Sequence, residues 1–137
     1  GPVVSDGAVV GRRILVVEDD PVNQTIVEAM LSSAGWSAHM ADDGAAALRC
    51  LRDSAFDVVL MDCQLPDIDG LEVTRQLRSG VAGPLNCRVP VVALTANAFE
   101  QDRRQCMEAG MDDFLTKPVV AAELERAVAR WARPVAR

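Results

Sequence analysis

No apolar run in this 137-residue chain approaches the roughly 20 residues that a membrane-spanning helix requires. Residues 1–7 lack the basic start and apolar stretch of a signal peptide, so none is expected. Positive charge is in deficit: 14 Lys and Arg face 20 Asp and Glu, a net charge of −6. That balance argues against sequence-independent nucleic-acid binding, which depends on cations neutralising phosphates. Histidine occurs once, as His39 in an apolar stretch without ligand-type neighbours, which argues against a zinc site. The four cysteines, Cys50, Cys63, Cys87 and Cys106, include no CxxC pair and are expected as reduced thiols. No Gly-rich phosphate loop follows the first apolar run, against a flavin or nucleotide site. There is no internal repeat and no low-complexity segment.

What remains is the composition of an ordinary globular domain, half apolar and one quarter charged, in a length that suits one domain with a real core. Gly1-Pro2 has the form of a scar from tag removal. Residues 1–12 are expected to be a disordered segment or tag remnant, residues 13–133 the domain, and residues 134–137 a tail after Pro134.

Short apolar runs alternate with helical patterns. Residues 13–17 read as a buried strand ending in acids, and Asp20-Pro21 starts a helix with Asp as N-cap and Pro at its first position. Ile26, Val27, Met30, Leu31 and Ala34 form its expected apolar stripe, and Gly35 stops it. Residues 36–40 read as a short strand. Asp43-Gly44 opens a helix carrying Ala47, Leu48 and Leu51. Residues 57–62 form a strand with Asp62 at its end. Leu71, Val73, Thr74 and Leu77 suggest a third helix, and residues 79–88 an exposed connection. A strand ends at Thr95, a largely polar helix covers residues 97–109 up to Gly110, and residues 113–116 form a short strand. Val120, Leu124, Ala127, Val128 and Trp131 mark an amphipathic last helix; Trp36 and Trp131 read as packing residues.

Five strands alternating with five helices predict a parallel sheet covered on both faces. Right-handed crossovers then favour an α/β, flavodoxin-like, doubly wound (βα)5 fold with strand order 2-1-3-4-5. In such a sheet ligands bind beyond the carboxyl ends of the strands where the order reverses, here between the first and third strands. Neighbouring strands lie roughly 4.8 Å apart, so Glu18-Asp19-Asp20 and Asp62 must converge. That is costly without a cation among them, and hard oxygen donors suit Mg²⁺. Thr95 and Lys117 end strands on the same edge. Acids, a hydroxyl and an amine together suit phosphoryl transfer to a carboxylate, in which positioning and charge neutralisation supply most of the catalysis.

The chain resembles the receiver domain of two-component response regulators over residues 13 to 132. The residues that carry the likeness are Val17-Glu18-Asp19-Asp20, Met61-Asp62 with Leu65-Pro66 and Asp69-Gly70, Leu94-Thr95-Ala96, and Lys117-Pro118. The resemblance implies that Asp62 is the phosphoacceptor and that Asp19 binds Mg²⁺ directly. Glu18 would bind it largely through water, and the backbone carbonyl of Gln64 would be a further ligand. Thr95 and Lys117 would contact the phosphoryl group, and Ala96 would leave room for it. Phe114 would be the aromatic switch residue where many relatives carry tyrosine, and Lys117-Pro118 would be a cis peptide. Pro21-Val22-Asn23-Gln24, Thr95-Ala96-Asn97-Ala98 and Ala109-Gly110-Met111-Asp112-Asp113 resemble receivers fused to hybrid sensor histidine kinases. The implied partner is a histidine kinase or a histidine phosphotransfer domain, docking on Val22, Asn23, Ile26 and Val119. The chain would work in the cytoplasm, on its own or as the cytoplasmic part of a membrane-bound sensor, without direct membrane contact, as a monomer or weak dimer. It would be no enzyme beyond its own phosphorylation and dephosphorylation.

Each residue also has a plainer reading. Asp20 is read as a cap rather than a metal ligand, and Thr95, Lys117 or Asp62 alone would be ordinary strand-end polar groups. Phe114 and Ile26 are also candidates for packing. Two other functions fit less well. A Mg²⁺-dependent aspartyl phosphatase on a similar sheet usually carries a second acid two residues after its nucleophile, where this chain has Gln64. A phosphorylation-independent docking module would not need the full set of site residues.

Overall fold

The computed structural model describes residues 13–96 and 100–131. The expected N-terminal segment, the helix start at Asn97 and the tail after Pro134 lie outside the described residues. In chain order the elements are β1 (Arg13–Val17), α1 (Pro21–Ser33), β2 (Ser37–Ala41), α2 (Gly44–Asp53), β3 (Val58–Asp62), α3 (Gly70–Ser79), β4 (Val91–Thr95), α4 (Glu100–Ala109), β5 (Asp113–Thr116) and α5 (Ala121–Trp131). The strands form one parallel sheet in the order β2-β1-β3-β4-β5, with Leu15 opposite both His39 and Val59, Met61 opposite Ala93, and Ala93 opposite Phe114. This is the flavodoxin-like order expected from the alternating pattern.

Alternate residues of the central strands feed two cores. Leu15, Val17, Val59, Met61, Val91 and Ala93 pack with Leu51 of α2, Val73 and Leu77 of α3 and Cys106 of α4. Ile14, Val16, Val58, Leu60, Val92 and Leu94 pack with Val27 and Leu31 of α1 and Leu124 and Val128 of α5. The continuous apolar runs of β1, β3 and β4 thus reflect strands covered on both faces, each large side chain contributing about 1.5–3 kcal/mol by burial. Three aspartates cap helices: Asp20 accepts from the Val22 N–H (3.0 Å), Asp43 from Ala46 (2.8 Å) and Asp69 from Glu72 (2.8 Å). Gly35, at a φ of 91°, follows α1 in the left-handed region.

Several boundaries differ from those read in the sequence. The second strand runs from Ser37 to Ala41 rather than over residues 36–40. β3 starts at Val58, and Asp57 just before it accepts the Arg13 N–H on its carboxylate at 2.8 Å. On α1 only Val27 and Leu31 are buried, whereas Ile26 is 45% exposed. Val120 precedes α5 and is exposed, so the buried face begins at Leu124. The connection over residues 79–88 is not wholly exposed, since Ala82 and Asn86 are buried. Asn86 explains why: its Oδ1 accepts the Phe56 N–H (3.0 Å), and its Nδ2 donates to the carbonyls of Leu51 and Ser54 (2.6 Å each). One side chain thereby satisfies the backbone at the end of α2.

Arg78, near the end of α3, holds the opposite corner. It donates to the carbonyls of Gly110 (3.0 Å), Cys87 (3.1 Å) and Val89 (2.7 Å) and to the Asp112 carboxylate (3.0 Å). Asp112 in turn accepts the Val91 N–H at 2.9 Å.

Candidate functional site

The sheet delivers its polar residues to one edge. Glu18 follows β1 directly and Asp62 is the last residue of β3; both are almost fully buried, at 1% and 3% exposure, while Asp19 is exposed. Carboxylate oxygens of Glu18, Asp19 and Asp62 all lie within 4.8 Å of one another. Lys117, just beyond β5, places its Nζ 2.9 Å from Asp62 Oδ2 and 3.4 Å from Glu18 Oε1. The second Asp62 oxygen, Oδ1, accepts the Gln64 N–H at 3.0 Å.

The electrostatics follow from burial. Desolvation raises the pKa of Glu18; the Asp20 N–H opposes this, the Asp62 charge adds to it and Lys117 opposes it. Desolvation pulls the Lys117 ammonium down, but the bond and charge of Asp62, followed by Glu18, outweigh it and raise the net value. One ammonium thus faces two buried carboxylates and a third at the rim. This surplus of hard oxygen donors fits a small divalent cation, with Glu18, Asp19 and Asp62 as the side chains that would hold it.

Thr95, buried at the end of β4, and Ala96 line the same cleft as Asp62, Gln64 and Lys117, a space of about 280 Å³. The backbone joins the two strand ends as well, the Lys117 N–H donating to the Thr95 carbonyl at 2.8 Å, and Lys117-Pro118 is cis. Phe114 lies on β5, half-buried, with the Arg103 guanidinium 4.7 Å from its ring centroid. Asn23, Ile26 and Val119 line a second cavity of about 350 Å³, which shares Glu18 and Lys117 with the first site. Val22 is 65% exposed and does not line it.

The structure adds residues that the sequence reading did not single out. Gln24 Nε2 donates to the Glu18 carbonyl (2.6 Å) and to Asp42 (2.7 Å), tying α1 to the acid cluster. A Cβ on Gly70 would collide with the Asp62 carbonyl, so only glycine lets α3 start this close to the end of β3. Asp102, Gln105 and Cys106 of α4 form the far wall of the cleft. A helix so evenly polar gave no signal of which residues face inward. Asp67 was likewise unforeseen: its carboxylate accepts the N–H groups of Gly44 (2.8 Å) and Ala45 (3.0 Å) at the start of α2.

A doubly wound sheet with a buried, lysine-paired aspartate beside two further acids is an α/β domain with a cation-suited acidic site at its switch point. Residues 14–129 match the family model of the response regulator receiver domain, and the chain belongs to that family. It is 37% identical over 131 residues to the sensor protein GacS of Pseudomonas syringae pv. syringae, covering 96% of this chain and 14% of GacS. It is 38% identical over 122 residues to the sensor histidine kinase RcsC of Salmonella typhi, covering 89% of this chain and 12% of RcsC. The chain thus spans less than one sixth of the length of these two relatives. Among solved structures, the receiver domain of sensor histidine kinase PA1611 from Pseudomonas aeruginosa PAO1, with a magnesium ion coordinated in its active-site cleft, is 48% identical. It superposes with a TM-score of 0.80, over 89% of this chain and 98% of that one. A receiver-domain complex from Saccharomyces cerevisiae, of the histidine phosphotransfer signaling protein Ypd1 with the receiver of the response regulator Ssk1, gives a TM-score of 0.80 at 31% identity over 88% of each chain. The chain is a receiver domain of two-component signalling.

Proposed function

We propose that Asp62 takes a phosphoryl group from a phosphohistidine of a histidine kinase or histidine phosphotransfer domain. The observation that carries this is the placement of Asp62: buried, bonded to Lys117 at 2.9 Å, and within 4.8 Å of two further acids. The Asp62 carboxylate attacks phosphorus in line, the bond to the donor imidazole breaks, and a mixed anhydride forms on Asp62. Lys117 leaves its ion pair with Asp62 to face the phosphoryl oxygens, and Thr95 donates its hydroxyl to one of them. Glu18, Asp19, Asp62 and the Gln64 carbonyl would hold Mg²⁺, which would supply charge neutralisation for the transferred group. Gln64, where a phosphatase would carry a second acid, leaves water without a strong base, which favours a stable phosphoform over turnover.

The same reading extends to output and partner. Thr95 moving to the phosphoryl group frees space for Phe114 and shifts a two-state equilibrium across α4, β5 and α5. The groove of Asn23, Ile26 and Val119 lies beside Lys117 and suits the apolar flank of a phosphotransfer helix, with exposed Val22 at its border. Residues 13–133 form the receiver unit of a hybrid kinase acting in the cytoplasm. It catalyses only its own phosphorylation and dephosphorylation.

The test is intact-mass analysis with acetyl phosphate and Mg²⁺. One labile phosphoryl group per chain is expected, lost in Asp62→Asn; incorporation at another residue at an undiminished rate rejects the assignment. For the docking face, Val22→Asp and Ile26→Asp are expected to slow transfer from a phosphorylated phosphotransfer protein while leaving acetyl phosphate reactivity unchanged. Equal transfer rates remove that surface.

A further inference from the structure

We infer that Cys63 and Cys106 form an oxidation-sensitive pair whose disulfide holds α4 against the phosphoacceptor loop and slows phosphorylation. The inference rests on the proposed function of Asp62. Cys63 is the residue after Asp62, and Cys106 is a buried residue of α4 on the opposite wall of the same cleft. Their sulfur atoms are 4.0 Å apart although the residues are 43 positions apart in sequence. A bond requires them to approach to about 2.05 Å, a closure of roughly 2 Å.

The two sides of the gap differ in how easily they move. Cys63 is fixed in the backbone: its N–H donates to the Leu94 carbonyl (3.1 Å) and its carbonyl accepts the Gly70 N–H (3.1 Å). Among the described residues, α4 buries only Cys106 and Ala109, both small, so shifting it disturbs little packed apolar surface. Closure therefore draws α4 inward. Access favours Cys63 as the first sulfur to react, because it is half-exposed while Cys106 is buried.

With hydrogen peroxide as the oxidant, the Cys63 sulfur attacks one peroxide oxygen, the O–O bond breaks, and Cys63 sulfenic acid and one water result. The Cys106 sulfur then attacks the sulfenic sulfur, the S–O bond breaks, and a second water leaves. Each sulfur gives up one electron, the peroxide takes two, and the thiol protons end in the waters. Limited access to both sulfurs makes the first step slow, so the pair answers sustained oxidant rather than a trace. Once formed, the link joins the residue after Asp62 to the helix that carries Asp102 and Gln105, narrowing the cleft from that side.

The experiment uses the full chain, with Cys50→Ser and Cys87→Ser to silence the other thiols, and in parallel the unsubstituted chain. Each is treated with hydrogen peroxide and followed by intact mass, by non-reducing peptide mapping and by phosphorylation from acetyl phosphate with Mg²⁺. The expected result is loss of two hydrogens, a Cys63–Cys106 cross-linked peptide, and phosphorylation slowed by about tenfold and restored by dithiothreitol. Cys106→Ala and, independently, Cys63→Ser are expected to lose both the link and the slowing. Oxidation that yields only oxygen adducts without the linked peptide overturns the inference, as does a linked chain phosphorylated at the same rate as its thiol form. Failure of the reduced chain to be phosphorylated overturns the proposed function as well, so the two failures are distinguishable.

Discussion

On one side of the cleft Glu18 and Asp62 stand at the ends of β1 and β3, strands whose apolar residues are all buried; on the other, α4 is largely polar and buries only Cys106 and Ala109 among the described residues. Helix α5, on the opposite face of the sheet, anchors itself with Leu124 and Val128 at full burial. The acids thus stand on firmly packed backbone, whereas α4 is held by little apolar area. Preorganisation serves the first, because reacting groups must not reorganise during transfer. A small energy gap serves the second, because a phosphoryl group can shift only an equilibrium of a few kcal/mol.

The largest expected effect tests the rigid side. Asp62→Asn should lower phosphate incorporation by more than about a hundredfold, since an amide is a poor nucleophile of nearly the same shape. Its circular dichroism spectrum should match the wild type; a lost fold would mean that Asp62 is mainly structural. Next, Leu124→Ala should cost about 2–5 kcal/mol in urea unfolding, whereas Cys106→Ala should cost about 1 kcal/mol. Equal losses would break the contrast between α5 and α4. Third, saturating Mg²⁺ should raise the melting temperature, by about 2.7 kcal/mol of added stability at one hundred times its Kd, and Asp19→Ala should remove most of that gain. An unchanged melting temperature in the wild type would count against the metal site.

The smallest expected effect is a pH dependence. The folded chain holds the Glu18 pKa above its ordinary value of 4.5, so between those two values the native state binds more protons than the unfolded one. Metal-free stability contributed by this group is therefore greatest below 4.5 and falls as pH rises through the raised value. The Lys117 pKa is also raised, so its contribution persists through neutral pH and is lost only as pH climbs above 10.5 toward and through the raised value. Glu18→Gln should remove the acidic-side dependence and raise the metal-free melting temperature at neutral pH, and Mg²⁺ should no longer stabilise the variant as strongly. Melting curves of wild type and variant that fall in parallel between mildly acidic and neutral pH would exclude Glu18 as the source.

The order of the sheet and the convergence of Glu18, Asp19, Asp62, Thr95 and Lys117 on one edge were legible in the sequence. Both follow from alternating patterns and from polar residues that punctuate apolar runs at strand ends. The exposure of Val120 was not, and Ile26 was left open between packing and docking, because periodicity gives the width of an apolar stripe only when its neighbours are known. Asn86, Gln24 and Asp67 escaped for a related reason. Each acts through backbone groups of a distant segment, and a polar residue in a loop carries no mark of the partner it will meet. The proximity of Cys63 and Cys106 is a product of the crossover connections, not of spacing.

The Arg78 cluster sets the kind of motion open to α4. Its guanidinium bonds to the Gly110 carbonyl directly behind the helix, and a Cβ at Gly110 would strike the Arg78 side chain. Asp112, one step further on, is tied to both Arg78 and the start of β4. The trailing end of the helix is thus a fulcrum. Under the proposed function, a pull near Thr95 would move the leading end of α4, at Glu100, further than the tethered Gly110. A displacement of α4 that kept these bonds would be a tilt about Gly110 rather than a slide.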